Sequence, residues 1–449
     1  MHIKPGHYKG NFYKTAKSIV RTLQETGFRA FFVGGCVRDA LLGLQPEEFD
    51  IATSATPQEV QAIFDHTVPV GESFGVVLVI IDNYKYEIAT FRKEWGYQDG
   101  RRPSEVSYSK DERDDVDRRD FTINGLLYDP LREEIFDYVN GIEDMKRGVI
   151  ETIGDPVERF KEDKLRMIRA VRFSSRFEFR IEEPTFYAIK SMADRIAEVS
   201  AERLRDEILR IITQNNPGSG LKMLKKSNLL GYILPEVLEM DDVPQPPEFH
   251  PEGDVFEHTC LVLDKLYDIT GHKPGKEVAM GALLHDIGKP PTIERKDRIR
   301  FNGHDRVGAK MALRICRRLR LSKKQTERIT ALIRDHLKFK DVFNMRQSTL
   351  RRFISTPYFD DHMDMHLADC LASHGITSAY EFLKDRLEEY KNTEIKPKPL
   401  LSGNDLIEMG FEPGPIFSEI LNAVEEQQLD GYINTKKEAA SFVLENFEK

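Results

Sequence analysis

Apolar positions in the first third of the chain follow two different periods. Residues 14–26, KTAKSIVRTLQET, repeat them at helical spacing, RAFFV at 29–33 is a short apolar run, and CVRDALLG at 36–43 returns to the helical period. VVLVIID (76–82) and YKYEIATF (84–91) then alternate around a break at Asn83, as strands of a sheet do. This mixture predicts an α+β head over residues 1–154. Beyond Asp155 the strand signal ends, and EDKLRMIRAVRFSSRF, SAERLRDEILRIITQ and GLKMLKKSNLLGYILP carry apolar residues at helical steps. The remainder is expected to be helical. A segment rich in proline and acids, MDDVPQPPEFHPEGDVFEH (240–258), marks a boundary, and KNTEIKPKPLLSGNDL (391–406) marks another. The expected parts are thus a head (1–154), a helical neck (155–240), a further helical domain (241–395) and a helical tail (396–449).

Length and composition narrow the class. A chain of 449 residues exceeds one ordinary core, and 40% hydrophobic with 31% charged residues suits a globular protein. No stretch approaches the ~20 apolar residues of a membrane span, so no membrane is expected. MHIKPGHYKGNFYKTAKSIV has no apolar core followed by a small-residue cleavage site, which leaves the cytoplasm as the expected compartment. Cys36, Cys260, Cys316 and Cys370 lie far apart and form no CxxC pair, so they read as buried thiols. A net charge of -9 argues against nonspecific coating of nucleic acid, yet the local cluster RICRRLRLSKK (314–324) could still hold phosphates.

Within the head, Gly34-Gly35 stands between a strand and a helix, where a bare backbone and a helix N-terminus can approach phosphate; a plain turn has the same look. Glu48 and Asp50 alternate around Phe49, so on a strand both carboxylates leave one face, as a Mg²⁺ site or as an acidic edge. Glu87, in the strand YEIATFR, supplies a third acid if it faces the pair. RRDFTIN (118–124) crowds two arginines, an acid and an asparagine into seven residues. On one helix, Glu162, Asp163 and Arg166 would share a turn, which for most such triplets is an intrahelical salt bridge. Residues 91–106, FRKEWGYQDGRRPSEV, hold the only tryptophan and read as an exposed, mobile loop.

Taken together, VGGCVRDALLG, the Glu48-Phe49-Asp50 triplet with IATSATPQEV after it, VDRRDFTIN and EDKLRMIRAVRF resemble the class II tRNA nucleotidyltransferase and bacterial poly(A) polymerase family. The resemblance covers most of the chain. It implies a DNA polymerase beta-like nucleotidyltransferase head followed by an all-α neck, an HD-type body and a helical tail. It further implies Mg²⁺ held by Glu48 and Asp50, with Glu87 as third catalytic carboxylate. Gly34 and Gly35 would admit the triphosphate, and Arg38 would pair either with its oxygens or with Asp39, ordering the turn, while Arg118, Arg119, Asp120, Asn124 and Arg169 would hold the incoming nucleotide. Asp163 and Arg166 would pair with the base edge of CTP or ATP, replacing a nucleic-acid template. The family has Asp-x-Asp at the metal pair, from which Glu48 departs. The 91–106 loop resembles the one that permits the final adenosine, favouring CCA or A addition over CC addition. The expected partners are tRNA, CTP and ATP.

Farther on, His258, the adjacent His285-Asp286, His304, His336 and Asp369 lie in apolar helical segments, where burying so many polar groups is costly without a task. The set resembles the HD phosphohydrolase superfamily. That implies a divalent metal on His258, His285, Asp286 and Asp369, with His304 and His336 completing a second metal position or binding phosphate. Mixed imidazole and carboxylate donors suit Mn, Fe, Ni or Mg. Lys289 could meet a phosphate oxygen, and the tail would grip tRNA by its backbone. The expected activity is CCA addition with a possible second phosphohydrolase. Its rivals are A addition, poly(A) synthesis, or an HD phosphohydrolase whose head only binds RNA.

Overall fold

Alternating segments of the head become strands of one mixed sheet in the computed structural model, which describes residues 8, 10–69, 75–97, 103–271, 274–295, 297–390 and 398–448. Strands β1 (Ala30–Val33), β2 (Asp50–Thr53), β3 (Thr67–Pro69), β4 (Val76–Ile81) and β5 (Tyr84–Thr90) belong to it. Strands β6 (Arg92–Tyr97) and β7 (Pro103–Tyr108) form a separate hairpin, and β8 (Leu126–Asp129) and β9 (Glu134–Asp137) complete the sheet. Its order is β3-β4-β5-β2-β1-β8-β9, and the described ladders are antiparallel except for the parallel pair β2 and β5. All four residues of β1 are buried, which explains why AFFV runs apolar without alternation. Helix Gly10–Glu25 packs against β1 through its buried face of Ala16, Ile19, Val20 and Leu23.

Two expectations about strands need correction. Residues 91–106 are not simply a loop, because β6 and β7 pair in register from Arg92 opposite Tyr108 to Tyr97 opposite Pro103. An isolated two-stranded ribbon has no core to face, so no apolar side marks it in the sequence. Its tip, 98–102, lies outside the described residues. Strands also persist past Asp155: β10 (Val149–Ile150) pairs in parallel with β11 (Arg180–Ile181), and β12 (Ile293–Arg295) pairs with β13 (Ile299–Phe301). Runs of two or three residues are too short to display a period.

The chain separates into two units, Met1–Pro235 and Glu236–Lys449. Helices Pro156–Glu162, Leu165–Phe177, Glu183–Ser191, Ala201–Thr213 and Pro217–Lys226 belong to the first. In the second, helices Val255–Thr270, Lys276–Leu284, His304–Arg318, Lys323–Asp335 and Phe359–Ala372 pack on one another. Three helices, Gly403–Glu408, Pro415–Leu429 and Lys436–Asn446, close around their own apolar cluster of Leu406, Phe411, Ile420, Val424 and Val443. The segment 240–258 belongs to the second unit rather than lying between units, whereas 391–397, inside the other expected boundary, falls outside the described residues. All four cysteines are free and buried. No helix among the described residues is long and apolar enough to cross a membrane.

Candidate functional site

Strand pairing brings the head carboxylates together. Ile51 of β2 lies beside Ile88 of β5 in parallel register, so the residues before them, Asp50 and Glu87, are neighbours at one end of the sheet. Glu48 is not on the strand, which starts at Asp50. Phe49 between them is buried against Phe12 and Phe32, with ring centroids 5.3 and 5.1 Å away, and this anchor leaves Glu48 exposed on the side opposite the core. Burial, Glu87 and Glu48 together raise the Asp50 pKa from 3.8 to about 6, against the pull of Arg119. A divalent cation would relieve this repulsion, although the three carboxylate groups do not converge as closely as the histidine set of the second unit does.

The glycine turn stands beside them, because Val33 pairs with Asp50 and Gly34 follows. Gly34 has φ 68° and opens helix Gly35–Leu41. The positive φ favours glycine, and a Cβ there would come within 2.8 Å of Arg119 Nη1, so any other residue would also push that guanidinium aside. Of the two partners expected for Arg38, the structure shows Asp39: the buried Arg38 donates from Nε to Asp39 at 2.8 Å and from Nη1 to Asn124 Oδ1, and its guanidinium lies over the rings of Phe173 and Phe177. It braces the turn.

RRDFTIN folds against that turn. Arg118 and Arg119 both reach the buried Asp115, at 2.9 Å and 3.0 Å. Burial alone would raise the Asp115 pKa, yet the two guanidiniums hold it below its ordinary value. Asp120 is also buried, and both its oxygens are engaged: Oδ1 accepts from Asn124 Nδ2 and Phe121 N, each at 2.9 Å, and Oδ2 accepts from Arg169 Nε at 2.8 Å. These partners keep its pKa well down against the effect of burial. Asp120 can therefore meet a ribose only by exchanging one of them, while Arg169 is more open.

Asp163 and Arg166 do not share one helix. Helix Pro156–Glu162 stops before Asp163, whose backbone is extended at φ -147° and ψ 105°, and helix Leu165–Phe177 follows. The Asp163 carboxylate accepts from Leu165 N at 3.1 Å, so a short acid competing for backbone N–H groups causes the break. Each member of the pair then has other partners. Arg203 Nη2 donates to Asp163 Oδ2 at 2.7 Å, and Arg166 donates to Glu162 at 2.7 Å and to the Arg118 carbonyl at 2.9 Å. Arg203 and Asp115 carried no motif; only their distance to a charged partner identifies them.

In the second unit the histidine set converges. His258 Nε2 lies 3.1 Å from Asp369 Oδ1 and 3.8 Å from Asp286 Oδ2, and His285 Nε2 lies 3.2 Å from Asp286 Oδ2. His304 Nε2 is 3.5 Å from Asp286 Oδ1 and 3.2 Å from His336 Nε2. Asp286 thus stands between two histidine pairs. Among the described residues, the buried Nε2 atoms of His258 and His285 have only these carboxylate oxygens in reach; with the ring hydrogens on Nδ1 no hydrogen bond joins them, and a metal between them would supply the missing partner. Burial lowers the His304 pKa and takes that of His336 down to about 3, so both are neutral, as ligands must be. Burial opposes protonation of His258 too, but Asp369 and Glu252 raise it to about 9. Lys289 meets Asp286 Oδ2 and Gln245 Oε1, each at 2.6 Å. Gln245, His250 and Glu252 were unforeseen; they lie in the segment read as a boundary, and the only available signal was a His-x-Glu just ahead of His258.

Comparison with known proteins finds matches along both units. Residues 30–151 match the Poly A polymerase head domain, 178–240 the "Probable RNA and SrmB-binding site of polymerase A", 255–356 the HD domain and 306–443 the tRNA nucleotidyltransferase domain 2. The CCA-adding enzyme of Ligilactobacillus salivarius is 32% identical over 445 residues, 97% of this chain and 96% of that enzyme. That of Staphylococcus epidermidis is 43% identical over 49% of this chain, a stretch that spans only 55% of the relative's length. Among solved structures, the Bacillus stearothermophilus CCA-adding enzyme in complex with CTP superposes with a TM-score of 0.75 and 25% identity, over 97% of this chain and 98% of that one. The Thermotoga maritima CCA-adding enzyme complexed with tRNA has the same fold, with a TM-score of 0.59 and 20% identity.

Proposed function

The chain belongs to the CCA-adding enzyme family, and from that premise we propose that it completes tRNA 3′ ends with CTP and ATP, without a nucleic-acid template. The observation that carries this is the pairing of Asp50 with Glu87 beside the Gly34 turn, with Glu48 close enough to raise the Asp50 pKa. Mg²⁺ held there would neutralise charge as a tRNA 3′ hydroxyl attacks the α-phosphate and pyrophosphate leaves. Arg169 and Arg119 would meet the incoming nucleotide, and Asp163 with Arg166 would pair with its base. Glu48 suits this in spite of its extra methylene, since it precedes β2 and no ladder holds its backbone rigid. A cytoplasmic location agrees with such a role.

Three tRNA transcripts, ending before CCA, after C and after CC, test the proposal when incubated with Mg²⁺ and with CTP and ATP singly and together. Every transcript is expected to grow to one defined CCA end. Extension of the CC-ended transcript alone would make the activity A addition, long adenosine ladders would make it poly(A) synthesis, and no extension would overturn the proposal.

A surface in the second unit supports RNA as partner. Arg306, Lys310, Arg314 and Arg317 recur at i, i+4, i+8 and i+11 along helix His304–Arg318, all exposed and without an ion pair among the described residues. At 1.5 Å per residue they span roughly 16 Å, enough to follow several phosphates of one strand. Reversing all four to glutamate is expected to raise the KM for tRNA at least about tenfold and to flatten its salt dependence, because each lost phosphate contact removes close to one counterion from the slope. The KM for CTP should not move. Equal salt slopes would remove this surface from the binding site.

The HD-type cluster supports a second, metal-dependent phosphohydrolase activity. Its imidazole-rich donors favour Mn, Fe or Ni over Mg, and Lys289 could meet a phosphate oxygen of the substrate.

A further inference from the structure

Each histidine of the metal cluster has its Nδ1 against an acceptor, which points its Nε2 inward. For His285 the acceptor is the Ala282 carbonyl at 2.7 Å, for His304 the Phe301 carbonyl at 2.7 Å, and for His336 the Ile333 carbonyl at 2.6 Å. All three lie three residues back, and all three histidines sit at a helix end. A carbonyl oxygen only accepts, so Nδ1 must carry the hydrogen and Nε2 the lone pair.

His258 has no such arrangement available. It is the fourth residue of helix Val255–Thr270, and the carbonyl three positions back, that of Val255, already accepts from Thr259 Oγ1 at 2.8 Å. Glu252 takes the place of the missing carbonyl. Its Oε1 lies 2.6 Å from His258 Nδ1, and the same oxygen lies 2.9 Å from His250 Nδ1. The two imidazoles meet edge to face, with ring centroids 4.8 Å apart. Asp254, which caps the helix by accepting from Glu257 N at 2.8 Å, fixes where the chain delivers Glu252. The Glu252 side chain is only 7% exposed, a placement that a merely solvated surface acid would not have. It also precedes the stretch matched to the HD domain, which begins at residue 255.

We propose that Glu252 is a positioning residue of this metal centre, holding the Nδ1 hydrogen of His258 so that Nε2 is presented to a divalent metal. Glu252, which with His250 and His258 could itself reach a metal, is assigned behind the ring because its Oε1 meets Nδ1 of His258 while Nε2 faces Asp286 and Asp369. Being charged, it makes His258 a stronger donor than the three histidines served by carbonyls, and His250, sharing the same oxygen, keeps the carboxylate from swinging away. Outer partners of this kind are worth about 10- to 100-fold in metal affinity.

The inference rests on the metal-centre reading of the second unit, and one titration separates the two. Full-length wild type, Glu252→Gln, Glu252→Asp and, as control, the exposed neighbour Glu248→Gln are titrated with Co²⁺ against a competing chelator while the visible cobalt band is followed. Wild type and Glu248→Gln should bind alike, Glu252→Gln about 10- to 100-fold more weakly with an altered band, and Glu252→Asp in between. Wild type that binds no Co²⁺ would sink the metal-centre reading itself. Glu252→Gln with wild-type affinity would overturn the role given to Glu252, whether or not its unfolding temperature falls, because a purely structural glutamate would change stability and leave affinity alone.

Discussion

Asp50→Asn is expected to lower nucleotide addition by at least about 10³-fold, since a metal ligand to the reacting phosphate is worth several kcal/mol of barrier and each 1.36 kcal/mol is tenfold in rate. The same change should stabilise the protein when metal is absent. Burial and the neighbouring Glu87 and Glu48 raise Asp50 from 3.8 to about 6, so the folded chain holds this proton more tightly than the unfolded chain does. Folded and unfolded forms are equally protonated well below pH 3.8; as pH climbs through 6, the native state loses up to about 3 kcal/mol on account of this one group. Asparagine removes that loss. Thermal unfolding in a chelator should accordingly occur several degrees higher for Asp50→Asn than for wild type at pH 7.5, with the gap closing toward pH 4. Added Mg²⁺ should stabilise wild type and leave the variant nearly unmoved. Glu48→Asp, by contrast, should change the rate by less than about tenfold, because the residue sits before the strand where backbone adjustment is cheap. Wild-type activity in Asp50→Asn would refute the carboxylate site outright.

The second large effect concerns nucleotide choice. Asp163→Ala is expected to reduce kcat/KM for both CTP and ATP by about 10²-fold or more, because a site built to hydrogen-bond a base edge leaves its remaining polar groups unpaired once one partner is lost. Asp163 is tethered by Arg203 and Arg166 by Glu162, so both groups proposed to read the base are already held in place. Arg203→Ala should then cost less than Asp163→Ala, and should relax discrimination against UTP and GTP, since it frees Asp163 without deleting it. Single-nucleotide addition to a CC-ended and a C-ended tRNA measures both numbers. If Asp163→Ala discriminates among the four nucleotides as wild type does, the base is not read here.

Local patterns in the sequence carried much of this site. Asp50 and Glu87 are legible because a strand alternates its side chains and each acid precedes a buried apolar run; Gly34 is legible because few residues tolerate φ 68°. The histidine set showed itself through polar residues in apolar helices. What did not show were the partners. Asp120 meets Arg169 across 49 positions, Asp163 meets Arg203 across 40, and Arg38 meets Asn124 across 86. None of these separations has a helical or strand period, so no window of sequence could propose them.

Short-range backbone geometry is written residue by residue, and the sequence by itself therefore determined the α+β head followed by helices, the glycine turn, the carboxylates Asp50 and Glu87, and the histidines available to a metal. Only the tertiary structure decided that EDKLR is broken at Asp163, that Arg38 reaches Asn124, that 92–97 and 103–108 pair as a ribbon, and that Glu252 stands behind His258. The physical reason is common to all four. Each depends on which group is nearest to satisfy a buried charge or an unpaired N–H, and nearness across the chain is set by the path of the whole fold rather than by the neighbours in sequence.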